Sequence, residues 1–263
     1  MKIRTSLAIA LATLSSAAMA QDVGSEHFSF RLGAFFPNVD TKASVNASNG
    51  TAGTTVDFET DLKLSDSKTL PVMDATWRFS PRHRLVLDYF SLDRSASGTL
   101  SGTINWGDQV FTRNTTVKGD FNSDVLALTY LYSLALDKDS ELAVGVGLHN
   151  TKFTAGISST AGSVSVSKSA NAPLPVLALQ GTARFMENWR ANAGVKWLSL
   201  KVGDYDGKLT VFQAGIQYFP VKNWGIEGAY LANEYKLDVS KPDYKGSMKY
   251  KFNGPSISLI GQF

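Results

Sequence analysis

Cysteine is absent from all 263 residues, which excludes disulfides, thiolate metal sites and a lipidated cysteine. Histidine is nearly absent, with three copies, so acid–base chemistry has few candidates. No stretch beyond the first twenty residues approaches the roughly 20 strongly apolar residues of a spanning helix. Amphipathic helical periodicity is missing too. Charge of one sign is also lacking. The formal charge of +3 falls to +1 once Lys2 and Arg4 are set aside with their acid-free segment, which argues against nucleic acid as a partner.

That first segment, MKIRTSLAIALATLSSAAMA, has basic residues, a short Ala/Ser-rich apolar stretch and a small-x-small ending at Ala18-Met19-Ala20. It reads as a signal peptide over residues 1–20. No Pro-, Ser- or charge-rich linker divides the remainder, so residues 21–263 are expected to form one exported domain.

What is present is alternation. In ELAVGVGLH, Leu142, Val144, Val146 and Leu148 alternate with Ala143, Gly145, Gly147 and His149. HFSFRLGAFF, RHRLVLDYF, DVLALTYLY, WRANAGVKW, LTVFQAGIQYF and WGIEGAYLA behave alike, which is the period of strands with two unlike faces. Short connections such as Ser80-Pro81-Arg82-His83 and Leu136–Ser140 alternate with longer polar ones. The longer ones centre on Asn49-Gly50, Trp106-Gly107-Asp108, Ala161-Gly162, Asp204–Gly207 and Pro242-Asp243. Gly, Asn and Asp at such tips permit the positive φ of tight hairpins. The spacing predicts an all-β, antiparallel up-and-down barrel of ten strands. Eight is the alternative, because Pro71, Pro173, Pro175 and Pro255 interrupt strand patterns and proline cannot donate to a ladder.

Composition then indicates which face looks inward. The polar parity is rich in glycine and alanine, as a crowded concave interior requires. Aromatics gather beside the short turns, at Trp77, Phe79, Phe185, Trp189, Tyr218, Trp224 and Phe263. A second set, including Phe36, Tyr89, Phe153, Trp197 and Tyr230, lies about one spanning length, 9 to 11 residues, away. These features predict a transmembrane barrel with its apolar face outward.

With its Ala18-Met19-Ala20 signal, its alternating strands and its terminal SISLIGQF, the chain resembles a small Gram-negative outer-membrane β-barrel of the OmpA/OmpW-like class over residues 26 to 263. The resemblance implies the cell outer membrane as location. It also implies lipid and lipopolysaccharide as surroundings, and recognition of the terminal Phe263 by the outer-membrane assembly machinery.

Candidate functional residues follow from the parity. Arg31, Arg78, Arg84, Arg184, Arg190 and Lys196 share the inward face with Asp74, Asp88 and Glu227. Unpaired buried charges are costly, so these are expected to pair as a lumen network, either as a plug or as the lining of a narrow anion-selective pore passing small solutes. Asp57, Glu59 and Asp61 alternate with apolar residues and are expected to form an acidic cluster at the outer mouth, neutralised by nearby bases rather than by a metal ion. His149, with Thr151 on its face and Ser158 and Ser159 beyond, is the one candidate for a Ser/His hydrolase, but no orienting carboxylate is near it in sequence.

The leading expectation is a non-enzymatic barrel without cofactor or metal, serving as a narrow passive channel or as a structural and surface-interaction protein. A lipid-modifying hydrolase centred on His149 and a soluble exported ligand-binding barrel are the alternatives.

Overall fold

The computed structural model describes residues 22–160, 165–241 and 244–263. The segment read as a signal peptide, and the loop tips at Ala161-Gly162 and Pro242-Asp243, lie outside the described residues. The strands are β1 (Phe28–Phe35), β2 (Asn38–Val45), β3 (Val56–Asp57), β4 (Leu70–Ser80), β5 (His83–Thr99), β6 (Ile104–Trp106) and β7 (Gln109–Phe111). They continue with β8 (Thr116–Leu136), β9 (Ser140–Ser159), β10 (Ser165–Met186), β11 (Trp189–Val202), β12 (Tyr205–Val221), β13 (Trp224–Lys241) and β14 (Tyr244–Gln262).

Ten of these close a ring of antiparallel neighbours in the order β1, β4, β5, β8, β9, β10, β11, β12, β13 and β14, with β14 returning to β1. At the seam the alternating last strand pairs with the first. Gln262 lies opposite Ser29, and the Phe263 carbonyl accepts from the backbone N–H groups of His27 and Phe28 at 2.7 and 2.9 Å. A closed ring has no free edge to aggregate.

The prolines do not reduce the strand count. Strand β14 runs through Pro255 without interruption; the break is opposite it, at Phe36-Pro37, where β1 ends and β2 continues along the same partner. Gly254 makes this crossing possible, since a Cβ there would meet the Phe36 carbonyl oxygen at 2.2 Å. Pro173 and Pro175 stay paired with β9, while the ladder from β10 to β11 stops at Leu177 opposite Trp197. Each of the four short turns is preceded by a register shift, at Arg78/Ser80, Ser133/Ala135, Arg184/Met186 and Tyr218/Val221, as bulges at barrel rims provide. The fourth long connection turns at Gly203-Asp204, with Gly203 at φ 56°, slightly ahead of the predicted Asp204–Gly207.

Near the short turns the outward face is apolar. Trp77, Leu87, Leu128, Val146, Leu177, Ile226 and Ile257 are exposed, while Arg78, Arg84, Arg190 and Glu227 are buried within. This inverts a soluble fold and excludes the soluble-barrel alternative for this half of the molecule. Two aromatic rims bound the belt. Trp77, Phe79, Phe185, Trp189, Trp224 and Phe263 form the one at the short turns, and Phe36, Tyr89, Trp197, Phe212 and Tyr230 form the other. Phe153 does not belong to the second rim, because its parity turns it inward and buries it.

Beyond the second rim the faces exchange character. Along β8 the outward residues change from Leu134, Leu128 and Leu126 to Asp124, Asn122, Asp120 and Lys118. Over the same length the inward ones change from Ser133 and Thr129 to Phe121 and Val117. One strand is therefore membrane-like in its first half from the turn and soluble-like in its second. Strand β4 is short and begins only at Leu70, so the outer part of β5, paired with β8 on one side, has no strand on the other. The segment from Phe58 to Lys68 fills that place and sends Phe58, Leu62 and Leu64 into the interior.

Candidate functional site

Among the described residues, charged side chains converge inside the lumen, out of bulk water, and the lumen has three levels. At the short-turn end, Glu141 of β9 accepts from Arg78 at 3.0 Å, from Arg84 and from the Ser133 hydroxyl. Glu26, just ahead of β1, reaches Arg78 at 3.4 Å. The preceding Val23 is buried and its N–H donates to the Lys138 carbonyl at 3.0 Å, so the chain's entry segment folds across this opening. Arg184 lies at the rim, 3.7 Å from Asp22 and 3.6 Å from Asp139. Arg190 donates to Gln262 at 3.1 Å and stacks 4.6 Å above the ring of Phe219, which the register shift before Val221 turns inward.

At mid-depth Arg31 bridges Asp74 and Glu227, each at 2.5 Å, and reaches Gln213 at 3.1 Å. Asn192 and Gln217 each donate to the other Glu227 oxygen at 2.8 Å. Every oxygen of that buried carboxylate is thereby satisfied, as a dry site demands. Lys196 meets Asp88 at 2.6 Å. All nine charges expected in the lumen thus have partners. Glu26 was missed because it stands ahead of the first strand, where alternation assigns no face, whereas Glu141 opens the ELAVGVGLH run on the inward parity of Ala143 and Gly145 and was overlooked although that pattern places it. Their presence reduces the basic excess on which a selective anion pore would depend.

A chamber of about 260 Å³ separates these groups, with Arg31, Asp74, Asp88, His149, Lys196 and Glu227 in its wall. The Lys196–Asp88 pair is its most accessible, with side chains 20% and 32% exposed. Asp88→Asn is therefore expected to cost less than breaking a fully buried pair, under about 3 kcal/mol. Urea unfolding of the variant in lipid vesicles measures this.

His149 points inward and is buried, with neither ring nitrogen hydrogen-bonded among the described residues. A general base needs its nucleophile within hydrogen-bond reach. Ser158 and Ser159 are at the far end of β9, about 30 Å along the strand at 3.3 Å per residue. The arrangement expected of a Ser/His hydrolase is not assembled among the described residues.

Above the chamber lies an apolar stopper. Phe35, Phe58, Phe121, Phe153, Tyr235, Tyr250 and Phe252 fill the barrel from wall to wall, with centroid separations such as 4.9 Å for Phe121–Tyr250 and 4.8 Å for Tyr250–Phe252. The β6–β7 hairpin folds back over it and places Trp106, fully buried, 5.9 Å from Phe58. Arg94 pins the filling segment to β5. It pairs with Glu59, donates to Thr41 and to the Ser65 carbonyl, and lies 5.4 Å over the ring of Phe121.

The outer acidic residues do not share one face, because residues 58 to 61 form a turn rather than a strand. Glu59 turns inward to Arg94 and to the Thr41 N–H. Asp57 faces Lys42 at 3.2 Å and accepts from the Thr60 N–H at 2.9 Å, and Asp61 accepts from the Asp57 N–H at 2.9 Å. Partial burial pushes the Asp57 carboxyl up, but the Thr60 N–H and Lys42 outweigh it and hold it below the ordinary carboxylate range. Among the described residues no cluster of His, Asp and Glu has the arrangement of a metal site.

No family model matches the chain, and neither does any curated protein. Solved structures do. The outer membrane protease OmpT from Escherichia coli superimposes with a TM-score of 0.59 at 12% identity, over 92% of this chain and 98% of that one. The attachment invasion locus protein Ail of Yersinia pestis gives 0.34 at 11% identity, covering 87% and 97%. The Pseudomonas putida toluene transporter TodX gives 0.33 at 9%, covering 90% of each chain. The likeness to OmpT is one of fold. This chain has the fold of a Gram-negative outer-membrane β-barrel, and its apolar belt fits it to that membrane.

Proposed function

We propose that the protein is a closed, non-enzymatic barrel that anchors a folded surface above the outer membrane and conducts neither ions nor small solutes. The observation that carries this reading is the stopper of Phe58, Phe121, Tyr250 and Phe252, which occupies the lumen above the polar chamber with buried side chains. Interiors packed this way leave no continuous water path. The paired charges below support the same reading, since carboxylates held by arginines offer a passing anion little uncompensated charge. Solute flux into proteoliposomes tests it. Swelling in arabinose or chloride salts should match protein-free vesicles, and rapid swelling would refute closure. Phospholipid or lipopolysaccharide deacylation by the same vesicles would refute the non-enzymatic part.

The terminal residue belongs to the same proposal. Phe263 is half exposed on the lipid face, packing against Phe30 and Trp224 at 6.3 and 5.8 Å, and it is the residue offered to the assembly machinery. Phe263→Ala keeps the backbone bonds of the seam. It should lower outer-membrane yield in cells while protein refolded in detergent keeps its heat-resistant gel mobility; normal yield in cells would remove the assembly role.

A further inference from the structure

The barrel wall is interrupted where the chamber meets the stopper. Strand β10 is paired with β11 up to Leu177 opposite Trp197, and above that pair no ladder joins the two among the described residues. Continuing the same register would set Pro175 opposite Ser199 and Pro173 opposite Lys201. Proline has no N–H to donate, and alternate residues of a strand point their N–H groups to the same edge. The ladder to β9 runs unbroken through both prolines, so the edge that lacks donors is the one facing β11. Side chains alone close this slit. Leu174 reaches past β11 to within 3.6 Å of where a Cβ on Gly207 of β12 would stand, and Leu200, inward by parity, is nevertheless 42% exposed. The lower end of the slit, at Trp197, is on the outer aromatic rim, so it opens at headgroup level.

Directly behind the slit are polar groups with nothing to bond. Leu174 lies opposite His149, and Val176 lies opposite Gly147, which in turn lies opposite Thr129. His149 is 4% exposed and Thr129 is fully buried. Neither ring nitrogen of the one nor the hydroxyl of the other has a hydrogen-bond partner among the described residues. Both side chains stand in the wall of the chamber of about 260 Å³. Leaving such groups unpaired is costly, and a ligand that bonds to them recovers that cost. The charged groups of the same wall are already matched, Lys196 with Asp88 and Arg31 with Asp74 and Glu227, so a net charge on the ligand gains nothing. Val125, Ala127, Val211 and Tyr235 supply an apolar remainder.

A cavity of about 150 Å³ holds benzene, so this chamber suits a molecule of two rings or the equivalent chain. We propose that the chamber binds a small uncharged amphiphile of about ten to twelve non-hydrogen atoms, which enters from the outer leaflet between β10 and β11 and hydrogen-bonds through one hydroxyl or carbonyl group to His149 and Thr129. Entry is sideways, so binding requires no passage through the lumen and holds whether or not the stopper seals it.

The test uses the full chain refolded in lipid nanodiscs, with 1-naphthol as probe and naphthalene and 1-naphthalenesulfonate beside it. 1-Naphthol should bind at one per barrel above its partition into protein-free nanodiscs, naphthalene more weakly, and the sulfonate not at all. The chain has three histidines, so a spectrum of nitrogen-15-labelled histidine shows each ring; binding should move the resonances of His149 and leave those of His27 and His83. Thr129→Val, which keeps the side chain's shape, and His149→Phe should each weaken 1-naphthol binding about three- to tenfold, the range of one hydrogen bond, without changing that of naphthalene. Pro173→Thr with Pro175→Thr returns two donors to the β10 edge and should slow uptake and release alike while the affinity stays the same. Equal affinity for 1-naphthol in Thr129→Val, His149→Phe and the parent would overturn the site. So would unmoved His149 resonances, which would mean that water alone serves these groups. Unchanged kinetics in the proline variant would overturn the route.

Discussion

Glu141→Gln should be the most damaging single change to the folded barrel, lowering its unfolding free energy by about 3 to 5 kcal/mol. The carboxylate is buried and holds two guanidinium groups and a hydroxyl at once. The amide keeps the shape but leaves Arg78 to Glu26 at 3.4 Å and the Pro81 carbonyl at 2.9 Å, and Arg84 to Gln180 at 3.0 Å. Neither substitute restores the lost charge in a site with little water. Urea titration in vesicles, followed by tryptophan fluorescence, reports the loss. A change under about 1 kcal/mol would mean that water reaches Glu141, since hydrated pairs contribute on that scale.

Val146→Arg comes next. Val146 is 56% exposed at the middle of the belt segment of β9, between Leu142 and Leu148, where lipid surrounds it. An arginine at the midplane of a membrane barrel costs about 2 to 4 kcal/mol, so refolding into vesicles and outer-membrane yield should both fall. The inward neighbour Gly145 is intolerant for another reason. A Cβ there would meet the Tyr130 carbonyl oxygen at 1.9 Å, so even a small side chain displaces backbone. Undiminished insertion of Val146→Arg would contradict the assignment of the outward face.

The membrane half of this fold was legible because one rule governs every strand of it. Leu142, Val146 and Leu148 must meet lipid while Gly145 and His149 cannot, and short turns fix the phase at one end. Arg31, Asp74, Asp88 and Glu227 could be placed inside from parity alone. The outer half was not legible, because the same parity carries the opposite chemistry there. Phe121 and Phe252 share a face with Thr129 and Ser258, and nothing local marks where lipid gives way to water. Phe153 was misplaced because its aromatic ring was read as a rim residue against its parity, which it shares with Gly147 and His149. Phe58 and Trp106 were hidden differently: both stand in long connections, and only tertiary packing brings them into the stopper. The pairing partners were harder still, since Arg31 meets Glu227 across 196 positions of sequence.

Single-channel recording of the refolded protein in a planar bilayer tests the closed lumen most directly. A barrel sealed by Phe58, Phe121, Tyr250 and Phe252 should give only the baseline of the protein-free membrane at 1 M potassium chloride, over about 100 mV of either sign. Steady openings with a defined unit conductance and a reversal potential set by ion selectivity would contradict it, and would make the chamber beside Lys196 and Asp88 part of a pore.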